Sequence, residues 1–99
     1  MLELENYKVF FKPVVISDDL KTIGKKDKEN IRKSIDAKLK YRPDLYSLPL
    51  RRPLANYRKL RVDKYRIIFK LDEKNKACLI VGIRHRDNIY SEIGKRVIK

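Results

Sequence analysis

Apolar and polar positions alternate from Tyr7 to Phe11, with Tyr7, Val9 and Phe11 on one side and Lys8 on the other. That period of two predicts a short strand. Pro13 suits the first turn of a helix, where no backbone N–H is needed. Ile16, Leu20 and Ile23 follow at i, i+4 and i+7 before Gly24, which predicts a first helix. Asp27 is a good N-cap for a second helix, in which Ile31, Ile35 and Leu39 recur every fourth residue. Lys28, Arg32, Lys33 and Lys40 fall on its other faces, and Arg42-Pro43 ends it. Residues 43–56 contain Pro43, Pro49 and Pro53, so an extended, turn-rich connection is expected, packed down by Leu45, Leu48, Leu50 and Leu54.

Three strands then follow at short spacing: Tyr57 to Val62, Tyr65 to Leu71, and Ala77 to about Arg86. Asp63-Lys64 is long enough only for a tight hairpin turn, and Asp tolerates the positive φ such a turn needs. A polar stretch, Asp72 to Lys76, joins the second strand to the third. In the tail, Ile89, Ile93 and Val97 fit one stripe of a short helix. The order predicts a single α+β domain over residues 1–99. It has an N-terminal strand, two helices, a three-stranded antiparallel meander and a short C-terminal helix, with the helices packed on one face of the sheet.

Alternation also assigns faces. Leu60 and Val62 of the first meander strand, Tyr65, Ile67 and Phe69 of the second, and Leu79, Val81 and Ile83 of the third are expected to face the helices. His85 shares their parity and reads as a half-buried histidine rather than a catalytic one. Lys59, Arg61, Arg66, Arg84 and Arg86 fall on the opposite rows, with Ile80 and Gly82. Arg58 shares parity with Leu60 and Val62.

Charge turns this row into a candidate site. The chain carries 26 Lys+Arg against 13 Asp+Glu, a formal net charge of +13. Such an excess costs self-repulsion and argues for an anionic partner. It is concentrated: Arg51, Arg52, Arg58, Lys59, Arg61, Lys64, Arg66 and Lys70 face a single acid in that segment, Asp63. Like charges on adjacent strands repel, so the row is expected to serve binding rather than stability. Arginine's planar fork suits phosphate, and binding of a polyanion such as RNA is expected to weaken steeply with salt. The lone Cys78 sits in an apolar run and reads as a core residue. One His and one Cys cannot supply the usual zinc ligand sets, Asp87 and Glu92 make only a sparse pair, and no metal or other cofactor is expected. No segment is apolar enough to span a membrane, and Met1 to Asn6 does not resemble a signal peptide. A cytoplasmic location is expected.

Tyr57 through Phe69 and Gly82 through Tyr90 resemble the RelE/ParE toxin superfamily, and within it the RelE-type mRNA interferases. The shared pattern is a basic–apolar–basic strand, a tight turn, Tyr-Arg followed by apolar residues, then a closing strand and a tyrosine near a helix. Leu50-Arg51-Arg52-Pro53-Leu54 is similar to the approach to these strands. The resemblance implies the toxin of a toxin–antitoxin pair that cuts mRNA on the ribosome without a metal, neutralised by an antitoxin segment. It implies that Lys59, Arg61, Arg66, Arg84 and Tyr90 occupy catalytic positions and that Arg86 stands at a commonly basic one; with Arg86, the concentration of charge makes Arg51, Arg52, Arg58 and Lys64 the expected RNA-binding neighbours.

The chemistry so implied needs only the substrate's own 2′-OH, which attacks the adjacent phosphorus and leaves a cyclic phosphate and a 5′-OH. The protein takes the 2′-OH proton, stabilises charge on the phosphoryl oxygens and protonates the leaving oxygen. Lys59 or Tyr90 would act as base, because arginine, which stays protonated at any ordinary pH, is a poor proton acceptor. Arg61 and Arg66 would stabilise the transition state and Arg84 the leaving group; Tyr90 could instead stack on a base. Two other readings share the charge: a ParE-like inhibitor of DNA gyrase without nuclease activity, and a non-catalytic RNA-binding module.

Overall fold

A computed structural model describes residues 6–85 and 89–97, the side chains of 89–91 excepted. One five-stranded sheet organises the chain. Its strands are β1 (Lys8–Phe11), β2 (Leu48–Pro49), β3 (Tyr57–Val62), β4 (Tyr65–Asp72) and β5 (Ala77–His85), in spatial order β1-β5-β4-β3-β2. The meander is antiparallel throughout, whereas β1 lies parallel to β5, with Val9 opposite Cys78 and Phe11 opposite Ile80. A parallel neighbour needs a long crossover, and the helices between β1 and β3 lie in that crossover. The hairpin turns at Asp63, whose φ is 52°.

The first helical stretch differs from its expected form. It is a π-helical turn, Val15–Asp19, followed by a 3-10 turn, Leu20–Thr22. The Leu20 N–H reaches back five residues to the Val15 carbonyl. Widening the turn brings Val15, Asp19 and Ile23 onto the buried side and leaves Ile16 57% exposed. Helix α1 (Lys25–Ser34) is capped at Gly24 rather than Asp27, which sits in its first turn. A second π-helical turn, Ile35–Leu39, continues it, and Ile31, Ile35 and Leu39 are buried as their spacing predicts.

The proline-rich connection is more ordered than an extended loop. Pro43 opens a one-turn helix, α2 (Pro43–Tyr46), and β2 adds the outer strand. Leu54 is buried here, but Leu45 and Leu48 are exposed.

The sheet is covered on both sides, where one covered face was expected. On one side Ile67, Phe69, Leu60, Val62, Cys78, Ile80 and Ile83 pack against Val15, Ile23, Ile31, Ile35 and Leu39. Burial raises the Cys78 thiol to about 11, in keeping with a packing role. On the other side helix α3 (Ile89–Val97) sets Ile93 against Ile68 and Val81. A β-bulge produces this second cluster. Ile68 pairs with Gly82 but Phe69 pairs with Ile80, so Val81 is the extra residue. The bulge reverses part of the expected alternation in β5: Cys78 and Ile80 join Ile83 in the main core, Val81 turns to α3, and Leu79 is exposed. At Gly82 an added Cβ would lie 2.0 Å from Ile93 Cδ1; glycine here lets α3 approach the strand. Among the described residues no helix is long and apolar enough to cross a membrane.

Candidate nucleic-acid interface

The antiparallel register brings three arginines into one line across the sheet. Arg61 on β3 stands opposite Arg66 on β4, and Arg66 stands opposite Arg84 on β5. This is the row that strand alternation predicts, on the face that carries α3. Arg61 is exposed, while Arg66 and Arg84 are half-buried. Direct cross-strand opposition of like charges is unfavourable, and each arginine meets it differently. Arg66 Nη1 donates to the backbone carbonyls of Asp63 and Tyr65, at 3.2 and 3.1 Å, and so leans on its own hairpin. Arg84 is held by carboxylates. Its Nε lies 3.1 Å from Asp19 Oδ1 and its Nη1 3.0 Å from Glu92 Oε2 on α3.

Lys59 lies one row further along, between Leu48 on β2 and Ile68 on β4. With Arg51, Arg52, Pro49, Leu50, Pro53 and Leu54 it lines an open cleft of about 650 Å³. Arg51 and Arg52 are exposed there. The cleft therefore combines cations with prolines and leucines, next to the arginine row. Lys64, in the hairpin turn, is exposed at the end of the row.

Three expected members stand differently. Arg58 faces the helix side, as its parity implies, and its guanidinium is engaged: Nε donates to Ser47 Oγ at 2.7 Å, and Nη2 donates to the Asp44 and Ser47 carbonyls at 3.2 and 2.9 Å. It fastens α2 to β3 and does not join the row. Arg86 lies outside the described residues. Tyr90 has its backbone in the first turn of α3, and its side chain lies outside the described residues.

His85 is exposed rather than half-buried. Its ring meets Tyr65 edge-on, with centroids 5.4 Å apart. The Tyr65 hydroxyl donates to Asp27 at 3.2 Å. Burial, and then the Asp27 carboxylate, push that hydroxyl above its usual range. Tyr65 is thus a protonated donor, tying β4 to α1.

Sequence reading passed over the residue that organises the end of the row. Asp19 is 1% exposed. Its Oδ2 accepts the Ile83 backbone N–H at 2.9 Å, and Arg96 of α3 grips both carboxylate oxygens at 2.9 and 2.8 Å. Arg96 also donates to the Val81 carbonyl at 3.0 Å. The Asp19 carboxylate, ahead of other acids, raises the Arg96 pKa. β1 pairs with β5 only as far as Ile80, so Asp19 and Arg96 satisfy backbone groups of β5 beyond the end of β1. The available signal was an acid at i+4 from Val15 and i−4 from Ile23, inside an apolar stripe.

Comparison with known proteins gives the chain a family and a shared fold. Residues 9–90 match the family described as the ParE toxin of the type II toxin–antitoxin system parDE. The chain is 33% identical over 79 residues to a Methanocaldococcus jannaschii protein carrying the name toxin RelE4, covering 74% of this chain and 80% of that one. Its fold is similar to a chain in the RelBE2 toxin–antitoxin complex of Mycobacterium tuberculosis. There the TM-score is 0.75 at 25% identity, over 82% of this chain and 99% of that one. It is also similar to a mutant Escherichia coli RelE toxin in the free state, with a TM-score of 0.70 at 18% identity, over 94% and 99% of the two chains.

Proposed function

This chain belongs to the ParE toxin family of type II toxin–antitoxin systems, and from that premise we propose that it is an endoribonuclease that cuts mRNA on the ribosome in the cytoplasm. The observation that carries the reading is the Arg61–Arg66–Arg84 line, set beside the cleft of Arg51, Arg52 and Lys59. RNA passing over this face would place one phosphate on the line and its neighbours along the cleft. The substrate's 2′-OH attacks the adjacent phosphorus, the P–O5′ bond breaks, and a cyclic phosphate and a 5′-OH remain. Arg61 and Arg66 stabilise charge growing on the phosphoryl oxygens. Arg84 stabilises or protonates the leaving oxygen. Lys59 or Tyr90 accepts the 2′-OH proton. No metal or other cofactor takes part. Lys64 and Arg86 add phosphate contacts; Arg58 keeps its structural bonds.

The partner that silences the toxin would be a cognate antitoxin, acidic or amphipathic, covering the cationic face. The RelBE2 complex of Mycobacterium tuberculosis pairs such a toxin with its antitoxin. Primer extension on mRNA in translating ribosomes tests the activity. Cleavage by the wild type and its loss in Arg84→Ala are expected; identical patterns would sink the nuclease reading. The ParE description of the family match favours a second reading, inhibition of DNA gyrase. Clear inhibition of supercoiling by a chain that leaves mRNA intact would establish it.

A further inference from the structure

Arg84 meets two carboxylates of opposite character. Asp19 is 0% exposed at its side chain and is fixed from three sides, by the Ile83 N–H and both terminal nitrogens of Arg96. Glu92 is 46% exposed and makes its contact at Nη1, on the outer end of the guanidinium. The inner end is different: Arg84 Nε is buried, 3.1 Å from Asp19 Oδ1, yet its N–H is not aligned for a hydrogen bond. A buried carboxylate clamped by an arginine and a backbone N–H has nowhere to move. An exposed one on a helix surface exchanges readily with water or another anion.

We propose that Asp19 is the positioning residue for Arg84 in phosphate recognition, and that Glu92 holds the place a substrate phosphate takes. The inference rests on the reading of this face as an RNA site. Asp19 anchors the Nε side of the guanidinium, which leaves the outer end to Glu92 or to an arriving anion. Glu92 neutralises that outer end while the site is empty, which relieves the Arg66–Arg84 repulsion. A phosphate arriving on the row displaces Glu92, and the guanidinium, released from that pull, closes its Nε–H onto Asp19. Fixing one edge of the fork in advance leaves less rotamer freedom to be lost on binding. Arg96 does not compete for the phosphate, because Asp19 and the Val81 carbonyl already occupy it.

The test is a mutant cycle read by binding of a short fluorescein-labelled RNA across salt concentrations, alongside mRNA cleavage in translating ribosomes. Arg84→Ala is expected to weaken RNA binding about ten-fold and to lower the salt slope by about one phosphate contact. Asp19→Asn, which keeps size and an acceptor for the Ile83 N–H, is expected to reproduce most of that loss. It should add nothing in the Arg84→Ala background. A merely structural role for Asp19 would give the same further loss in both backgrounds, and that result overturns the inference. Glu92→Gln is expected to tighten binding about two- to five-fold, and only where Arg84 is present; unchanged or weaker binding refutes the placeholder role. Coupling in RNA binding without any mRNA cleavage removes the nuclease reading and leaves the phosphate site standing. Cleavage that needs Arg84 but is indifferent to Asp19 does the reverse.

Discussion

The two faces of the sheet are built on different terms. The face under α1 and the π-helical turns is closed: Ile67, Phe69, Ile80 and Ile83 pack on Val15, Ile31 and Leu39, with the Tyr65–Asp27 bond and the Arg58 bonds to Ser47 at its rim. The other face is divided. Near Gly82 it is a small apolar cluster under α3, and toward the hairpin it is a line of arginines with little between them. The closed face gains stability from burial at every row. The divided face gives part of that up, since aligned cations repel and expose area that a helix could have covered. A protein holds such a surface where an anion completes it, which is why the catalytic proposal rests on the divided face alone.

Truncation should separate the two faces most sharply. Phe69 is fully buried in the main core, and Phe69→Ala is expected to cost about 3–5 kcal/mol in urea unfolding. An equal cost for Ile93→Ala would mean that the α3 cluster is no lesser core, and the contrast drawn above would fail. Gly82→Ala comes next. Its Cβ would meet Ile93 at 2.0 Å, so α3 must shift, at about 1–3 kcal/mol. Because that shift also moves Glu92 and Arg96, RNA binding should change with it; a stability loss with unaltered binding would uncouple α3 from the row. Arg61→Ala is expected to leave stability within about 0.5 kcal/mol while lowering the salt slope of RNA binding by about one. A marked loss of stability would reassign Arg61 to the scaffold. Smallest of all, Arg32→Ala should change neither melting temperature nor binding measurably. Its pairs with Glu29 and Asp36 are exposed, and such pairs contribute little. Cys78 supplies a chemical marker for the closed face: a thiol raised to about 11 by burial should react with a thiol reagent only as the protein unfolds.

Much of this was legible in local pattern. Ile31, Ile35 and Leu39 declare a buried helix stripe, Asp63 marks the hairpin, and alternation alone puts Lys59, Arg61, Arg66 and Arg84 on one side of the meander. Two misplaced faces share a cause: a change of local period. The π-helical turn at Val15–Asp19 shifts the buried stripe away from Ile16, and the bulge at Val81 reverses Leu79, Ile80 and Val81. A single extra residue in a turn or strand rotates everything beyond it, and nothing in the composition of either segment announces the insertion. The two-residue strand β2 was missed for the opposite reason: Leu48–Pro49 is too short to show a period.

The sequence by itself determined the order of the longer strands and helices, the buried helix stripe, the concentration of charge and the outward placing of Lys59, Arg61, Arg66 and Arg84, because each follows from residue type and spacing along one segment. Tertiary structure decided what the row touches. Asp19 lies 65 residues from Arg84 and 77 from Arg96, and only the meeting of a widened helical turn, the free end of β5 and the last helix brings the three together. No spacing rule carries that information, since it depends on where separate elements end. The same geometry turned Arg58 from a candidate RNA contact into a structural tie and set α3 against the second face of the sheet.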